Sequence, residues 1–314
     1  MIEKTDLKTT SGTCVSEISA KPFLATASAE ELSAFIKRAG ESTYRAKQIY
    51  DWVNRKYITD PAQMTNISAA IKEKLREEFV CSALKVEKTE ECADGSRKLL
   101  ISLPDHETIE CAILGALDGR TTFCLSTQVG CPVRCVFCAS GASGFVRNLT
   151  AGEIVEQYLL CCRLVKKAPD NVVIMGIGEP LLNFDNLVKA LETICNPDGI
   201  ALAARRVTIS TSGWTRGIKQ LAEHGRQWNL AVSMHGGDDK TRAFLIPTKF
   251  RRDIREIIEA CKLHKAATGR LLTFEYVLLA GINDSVEQAT KLARIAHEAN
   301  AKVNLIPYNK ANGA

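Results

Sequence analysis

The sequence has no long apolar run and no strong excess of charge of one sign. None of its hydrophobic stretches approaches the ~20 residues that cross a bilayer, so we expect no membrane span. The net charge of +5 permits an RNA partner without requiring one, because the basic surplus is small and dispersed. No secretion signal is recognisable at the start of the chain. We therefore expect a cytoplasmic, monomeric protein.

Cysteine, in contrast, is abundant. Twelve cysteines without a secretion signal indicate metal binding rather than disulfides. Cys131, Cys135 and Cys138 have the spacing C-x3-C-x2-C, with Phe137 directly before the last. A loop this short can wrap three thiolates around one metal cluster and leave one coordination position open. Structural zinc closes all four positions, whereas iron–sulfur clusters are held by cysteine runs of this density. The spacing favours a [4Fe–4S] cluster; zinc and three unrelated core thiols are the alternatives.

The first third of the chain divides into three segments. Residues 1–22 show no apolar period and are interpreted as a loose tail. Residues 23–83 predict a helical module, because Ser28 and Glu31 form a capping-box pattern and further helices are indicated at 44–56 and 67–79. Residues 84–118 predict a small β-meander with a turn at Asp94 and Gly95. The cations of the module are Arg45, Lys47, Arg55 and Lys56. Taken alone they favour a solvated basic face, and RNA recognition by the module is the alternative.

From residue 119 to 314, strands and helices alternate. Strands are predicted at 122–129, 171–175, 206–212, 229–234, 271–279 and 302–307. Helices are predicted at 153–167, 184–194, 216–224, 253–264 and 285–300, the first after a capping-box pattern at Thr150. Repeated β-α units form a parallel sheet, and six units are two short of a full (β/α)8 barrel. The fold class is therefore α/β.

The alternation of side chains along the strands predicts which ones face the inside. Apolar positions should face the helices, which leaves Ser210, Ser233 and His235 facing inward, together with Cys124 and Glu275. Parallel strands buried on both faces normally read as continuous apolar runs. A polar inner face over several strands therefore indicates a binding cavity.

A glycine-rich turn follows the second predicted strand of this array. Gly178 would let the backbone approach a ligand closely, and the Glu179 carboxylate can pair with an ammonium group. Active sites of such arrays lie at the carboxyl ends of the strands, where the cysteine loop also lies. A tight connection without a ligand is the alternative for the turn taken alone.

Several motifs together resemble one known family. They are YRAKQ (44–48), TQVGC (127–131), GFVRNL (144–149), MGIGEPLLN (175–183), STSG (210–213), SMH (233–235) and NLIPYN (304–309). The cysteine spacing resembles the signature of the radical S-adenosylmethionine (SAM) superfamily, and the set resembles its 23S ribosomal RNA adenine C2 methyltransferases. Relatives that methylate adenine C8 share much of this pattern. The resemblance implies a partial (β/α)6 radical SAM barrel, open towards a large substrate.

The resemblance also implies roles for individual residues. Cys131, Cys135 and Cys138 would bind the [4Fe–4S] cluster. Glu110 falls where the family has a proposed proton acceptor, and Cys124 falls on the cysteine that helps to release the methylated base. The positions that would bind SAM are Gly178, Glu179, Ser210, Ser233, Met234, His235 and Asn309. By strand parity Met234 faces outward, so its contact would be through the backbone.

The reaction that the resemblance implies explains why a cluster and SAM are needed. Adenine C2 is electron-poor and has no lone pair, so polar attack on the SAM methyl group fails. The family instead cleaves SAM to a 5′-deoxyadenosyl radical, which takes hydrogen from a methylated cysteine near the C-terminus; the new radical then adds to the base. The expected partners are 23S rRNA and possibly tRNA, with an electron donor such as flavodoxin or ferredoxin. Arg147, Lys249, Arg251 and Arg252 lie in loops at the predicted cavity mouth and are candidates for phosphate contacts; a solvated charge cluster is the alternative for Lys249, Arg251 and Arg252.

One departure from the family pattern is that no cysteine here matches the methyl-accepting position. We therefore expect a chain cut short before that cysteine, which binds cluster and SAM without transferring the methyl group. Two alternatives are a radical SAM enzyme with different chemistry and an RNA-binding remnant without turnover.

Overall fold

The N-terminal module is built from three helices. The computed structural model describes residues 21–142 and 144–309, so the predicted tail before residue 21 lies outside the described residues. The helices are α1 (Ala29–Arg38), α2 (Tyr44–Asn54) and α3 (Ala69–Glu78). The capping box predicted for α1 is confirmed, because the Glu31 backbone N–H donates to Ser28 Oγ (3.1 Å) and the Ser28 N–H donates to Glu31 Oε2 (2.8 Å).

A nine-stranded sheet forms the centre of the protein. In chain order, the strands of this sheet and of a separate hairpin (β5 and β6) are β1 (Lys85–Glu91), β2 (Arg97–Ser102), β3 (Thr108–Gly115), β4 (Thr121–Cys124), β5 (Gln128–Gly130), β6 (Phe145–Asn148), β7 (Asn171–Ile174), β8 (Val207–Thr211), β9 (Asn229–Ser233), β10 (Leu272–Leu278) and β11 (Lys302–Pro307). The sheet order is β1-β2-β3-β4-β7-β8-β9-β10-β11. The six strands from β4 to β11 in this order are parallel, which confirms the predicted α/β array. The meander extends this sheet, because β3 pairs antiparallel with β4.

Helices connect the parallel strands. They are α4 (Ala139–Ala142), α5 (Ala151–Val165), α6 (Phe184–Cys195), α7 (Thr215–His224), α8 (Asp239–Leu245), α9 (Ile254–Thr268) and α10 (Val286–Ala299). The capping box at Thr150 and Glu153 is confirmed at the start of α5. The short helix α8 had not been predicted; its N-cap is Asp238, whose side chain accepts the Thr241 N–H. Among the described residues, no helix is both long enough and apolar enough to span a membrane.

The first predicted barrel strand, 122–129, is wrong in its extent. β4 ends at Cys124, and the chain then enters β5, which pairs with β6 in a separate hairpin. Ser126 lies at the break, where its Oγ donates to the Glu110 carbonyl (2.5 Å) and accepts the Ile177 N–H (2.8 Å). These side-chain bonds take the place of the strand pairing that a longer β4 would have made. The β5–β6 hairpin, which leads into the cysteine loop, therefore lies outside the main sheet.

The strand registers confirm the predicted inner face. Cys124 on β4 aligns with Ala112 on β3, so Glu110 lies on the same face of the sheet as Cys124. The registers of the parallel strands continue this face through Ser210 and Ser233. The opposite face is apolar and packs on helices: the Phe123 ring contacts that of Tyr158 on α5 at 5.7 Å. A polar inner face thus runs across most of the sheet.

Candidate functional site

A cavity of about 150 Å³ lies at the carboxyl ends of the parallel strands. Its lining includes all three cysteines of the spaced motif, Cys131, Cys135 and Cys138. The loop that carries them is held in place from below, because the Val136 N–H donates to the Leu245 carbonyl at the end of α8 (3.1 Å). Val133 packs with Leu245 in a small apolar cluster of its own. Contacts with the end of α8 therefore help to position the loop.

His235 lines the same cavity at the end of β9. It is 4% exposed, and its ring meets the Phe137 ring edge to face at 4.7 Å. The Val277 N–H donates to His235 Nδ1 (3.1 Å), which leaves Nε2 as the protonated nitrogen and the ring's donor. Burial lowers the pKa of His235 to about 3, so the ring is neutral at physiological pH. The aromatic residue of the cysteine motif thus orients a neutral histidine.

The turn after β7 packs directly against the segment that follows β4. Gly178 has φ +115°, and a Cβ there would lie 2.7 Å from Gln128 Cβ, so only glycine fits without displacement. The Glu179 N–H donates to Gln128 Oε1 (2.8 Å). This close approach places the Glu179 side chain in the cavity wall, where it is 2% exposed.

The Glu179 carboxylate has a defined set of hydrogen bonds. Oε1 accepts from Thr211 Oγ1 (2.8 Å) and the Leu181 N–H (3.1 Å), and Oε2 accepts from the Ser212 N–H (2.6 Å). A carboxylate has about four acceptor sites, so one remains on Oε2. Burial raises the pKa of Glu179 despite these bonds, which means that a bound cation would stabilise the ionised form.

The remaining residues predicted to bind SAM are only partly brought together. Ser210 and Ser233 line the cavity together with Gly178 and His235. Met234 is fully buried and outside the lining, as its strand parity predicted. Asn309 is exposed beyond β11 and also outside the lining. Its role therefore stays a prediction.

The two predicted catalytic residues lie in different surroundings. Cys124 is on the inner face at the end of β4, and burial raises the pKa of its thiol to about 11. Glu110 lines a second cavity of about 340 Å³, which shares Ser140 with the first. The Glu110 carboxylate is 42% exposed and lies 3.2 Å from Lys98 Nζ. The Glu110 carboxylate is therefore the more exposed of the two groups, and Cys124 is partly buried.

Comparisons with known proteins identify the family. The family model of the radical SAM superfamily matches residues 125–293, and that of the ribosomal RNA large subunit methyltransferase N-terminal domain matches residues 23–81. A probable dual-specificity RNA methyltransferase RlmN of Thermotoga maritima is 46% identical, over 89% of this chain and 82% of the relative. The corresponding protein of Akkermansia muciniphila is 40% identical, over 93% and 83%. A crystal structure of a radical SAM methyltransferase from Sphaerobacter thermophilus superposes with TM-score 0.88 and 37% identity, over 93% of this chain and 87% of that one.

The chain belongs to the RlmN family of radical SAM enzymes. The cofactors of such an enzyme are a [4Fe–4S] cluster and SAM. The cysteine loop fits the cluster, because its three thiol-bearing residues, Cys131, Cys135 and Cys138, line one cavity. Within residues 21–142 and 144–309, no three His, Cys, Asp or Glu side chains converge tightly enough for a single metal ion.

The cavity beside the cysteines also fits the amino-acid end of SAM. The open acceptor site on Glu179 suits an ammonium group. Ser212 Oγ is buried without a hydrogen-bond partner in the described part of the chain, and Ser212 belongs to the cavity lining. Buried hydroxyl groups normally have a partner, so this one indicates a polar ligand.

Sequence reasoning missed three residues that shape this radical SAM site. Thr211 and Ser212 hold the Glu179 carboxylate, although only Ser210 of their motif had been predicted. Arg242 on α8 is fully buried; its guanidinium donates to the Ser212 carbonyl and, at 2.9 Å, to the Arg252 carbonyl. Strand parity does place Ser212 on the inner face together with Ser210, although without a role there, whereas no local signal marks Arg242.

Arg147 is not available for the phosphate contact that the sequence suggested. Its side chain is 14% exposed and bridges Asp105 (2.6 Å) and Glu153 (2.8 Å). The prediction failed for two reasons. Asp105 is 42 residues away in the sequence, and Glu153 had been assigned only to the cap of α5. Lys249 is exposed, whereas Arg252 stacks on the Trp214 ring at 4.5 Å. Of these four cations, Lys249 is the most accessible.

Proposed function

We propose that this chain is a radical SAM RNA methyltransferase that acts on C2 of adenine in 23S rRNA and tRNA. The observation that carries the proposal is the buried Glu179 carboxylate, with one open acceptor site, in the wall of a cavity that three spaced cysteines share. Curated relatives named dual-specificity RNA methyltransferase RlmN support RNA as the substrate. The N-terminal match to a ribosomal RNA methyltransferase domain supports rRNA.

The cavity residues take separate roles in this proposal. Cys131, Cys135 and Cys138 bind the cluster, which supplies the electron that cleaves SAM when it is bound. Glu179 binds the SAM ammonium group. His235 presents its Nε2–H as a neutral donor, since its Nδ1 is already occupied by the Val277 N–H. Ser210 and Ser233 line the same space and supply hydroxyl groups.

The neighbouring 340 Å³ cavity is the proposed position of the target adenine. It meets the SAM cavity at Ser140, so a base there would lie beside the site of radical formation. An adenine must be extruded from its stack to enter it. Glu110 lies in its wall as the proposed proton acceptor, with the Lys98 ammonium group 3.2 Å away. Cys124, on the same face of the sheet, is the proposed thiol for release of the product.

The helical module, residues 23–83, is the proposed RNA-recognition unit. Two cation–aromatic pairs lie on α2 and just after it: Arg45 Cζ is 4.7 Å from the Tyr44 ring centroid, and Lys56 Nζ is 3.6 Å from that of Trp52. Tyr44 is 53% exposed, so its ring is accessible to a base. The barrel from residue 119 carries the chemistry. We expect a monomer that receives electrons from a flavodoxin or a ferredoxin.

The first test measures SAM cleavage by anaerobically reconstituted protein with dithionite. Wild-type protein should release 5′-deoxyadenosine, and Glu179→Gln should bind SAM at least tenfold more weakly, because an amide cannot pair with the ammonium charge. Glu223→Gln, at an exposed position of α7, is the matched control and should bind normally. Equal SAM affinity in Glu179→Gln and wild type would contradict the assignment of this site.

The second test locates the methyl group by analysis of nucleosides from 23S rRNA and tRNA treated with the enzyme. Modification at C2 supports the proposal, and modification at C8 would replace it with the related C8 reaction. Methylation of C2 by the 314-residue chain alone would also show that the expectation of a missing cysteine is wrong. Tight RNA binding without any SAM cleavage would favour the non-catalytic RNA-binding alternative.

A further inference from the structure

One cavity beside the cysteine loop has no role in the reaction described above. It measures about 740 Å³ and lies between that loop, the β5–β6 hairpin and the loop after α8. Val133 separates it from the SAM cavity, because this residue lines both. We call this cavity the outer groove and define it by Val133, Arg134, Phe145, Asn148, Lys249 and Phe250.

The outer groove is basic. Arg134 and Lys249 are exposed in its wall, and among the described residues neither forms an ion pair with a carboxylate. No Asp or Glu belongs to the described residues that line it. Two cations without a counter-charge at the rim of one cavity favour an anionic ligand.

The outer groove also presents aromatic surface. Phe145 is 45% exposed, although a phenylalanine on a short hairpin could have been buried against the sheet. Phe250 is half-buried and held edge to face by Trp214 at 5.7 Å, so its orientation is fixed. Lys249 Nζ lies 5.5 Å from the Phe250 ring centroid. Aromatic rings interleaved with free cations are the combination that binds unpaired nucleotides by stacking and phosphate contact.

We propose that the outer groove is a second nucleotide subsite, which holds an unpaired nucleotide across the β5–β6 hairpin from the methylated adenine. Phe145 of this hairpin lines the groove, and its neighbour Val146 lines the adenine cavity. This inference rests on the proposed RNA substrate. An adenine extruded into the active site draws its neighbours out of their stack, and a stacking surface close by offsets that cost. In this arrangement Phe145 or Phe250 stacks on the base, and Arg134 and Lys249 contact the flanking phosphates. A concave cavity of this volume suits a nucleotide better than the flat surface of an electron-carrier protein.

The test uses reconstituted protein with a fluorescein-labelled RNA hairpin whose loop contains an unpaired adenine. Phe145→Ala should bind this RNA about five- to a hundredfold more weakly, from the loss of one stacked base. Lys249→Gln should flatten the dependence of log K on log salt by about one unit of slope, from the loss of one phosphate contact. Phe244→Ala and Lys219→Gln replace exposed residues outside the groove and should leave affinity and slope unchanged.

The outcomes separate this subsite from the proposed function. Wild-type protein that does not bind the RNA would overturn both. RNA binding that Phe145→Ala and Lys249→Gln retain in full, with unchanged thermal unfolding, would overturn the subsite alone. If the variants kept RNA affinity but slowed SAM cleavage only with a protein reductant and not with dithionite, the groove would be a docking surface for the electron donor, and the proposal would be wrong.

Discussion

Arg147 provides the sharpest test of how the hairpin is attached to the barrel. Its guanidinium donates to both carboxylate oxygens of Glu153 (3.0 and 2.8 Å) and to Asp105 Oδ2 (2.6 Å). Arg147→Met would leave Glu153, whose side chain is 1% exposed, without a cation, and Asp105, 16% exposed, likewise. Removing one partner from a buried ion pair costs about 3–5 kcal/mol of unfolding free energy. We expect a loss of that size.

Urea unfolding of the cluster-free protein measures this loss. With an m value of about 2–3 kcal/mol per molar, the midpoint should fall by roughly 1–2 M. Arg120→Met is the matched control: Arg120 pairs with Asp118 at 2.6 Å, but the two side chains are 63% and 53% exposed. Such an exposed pair contributes less than about 1 kcal/mol, so this variant should unfold close to wild type.

The same variant should change the dependence of stability on pH. Burial alone would raise the pKa of Asp105, but the Arg147 hydrogen bond and charge outweigh it and hold that pKa below its ordinary value of 3.8. Because the pKa of Asp105 is lower in the folded state than in the unfolded state, its ionisation stabilises the protein at a pH above the unfolded-state pKa. This contribution disappears as the pH falls through the folded-state pKa. The difference between wild type and Arg147→Met should therefore narrow below about pH 4. A loss under 1 kcal/mol at pH 7, together with weaker RNA binding and a smaller salt slope, would show that Arg147 contacts phosphate after all.

Three further predictions concern the cysteines and a buried histidine. Cys135→Ala should bind markedly less iron and sulfide on reconstitution, whereas Cys92→Ala, at an exposed position, should bind as wild type does; equal iron content would remove Cys135 from the ligand set. Because burial raises the pKa of Cys124 to about 11, its alkylation at pH 8 should be roughly a hundredfold slower than that of a free cysteine and should rise with pH up to that value. Alkylation as fast as in unfolded protein would contradict this. Burial lowers the pKa of His264 to about 4, so the unfolded state takes up a proton below pH ~6.5 that the folded state refuses. Between pH 8 and pH 5 the free energy of unfolding should therefore fall by about 2 kcal/mol more in wild type than in His264→Leu. An equal fall in both proteins would refute the assignment.

Local pattern was sufficient for most of the fold. The strands from β7 to β11 lie within one or two residues of their predicted positions, because each is a short apolar run between clear helical segments. Ser28 and Thr150 begin α1 and α5 as their capping boxes predict, since the relevant bonds span three residues. Strand parity identified the inner face in the same way, because it depends only on alternation.

The failures came from contacts between residues distant in sequence. The strand predicted through residue 129 ends at Cys124 because Ser126 bonds to Glu110 and Ile177, which no local pattern reveals. Arg147 looked free for the same reason, as Asp105 lies 42 residues earlier. The spacing of the cysteines nevertheless predicted their shared cavity, because a motif of eight residues is a local feature.

The register of the meander limits which insertions and deletions the proposed site can tolerate. Glu110 and Cys124 point to one side only because Ala112 is opposite Cys124. A slip by a single residue would turn Glu110 towards α5 and bring Cys111, whose sulfur is now 3.6 Å from that of Cys161, to the inner face of the sheet. An insertion or deletion that keeps Glu110 on the inner face must therefore shift this strand by an even number of residues.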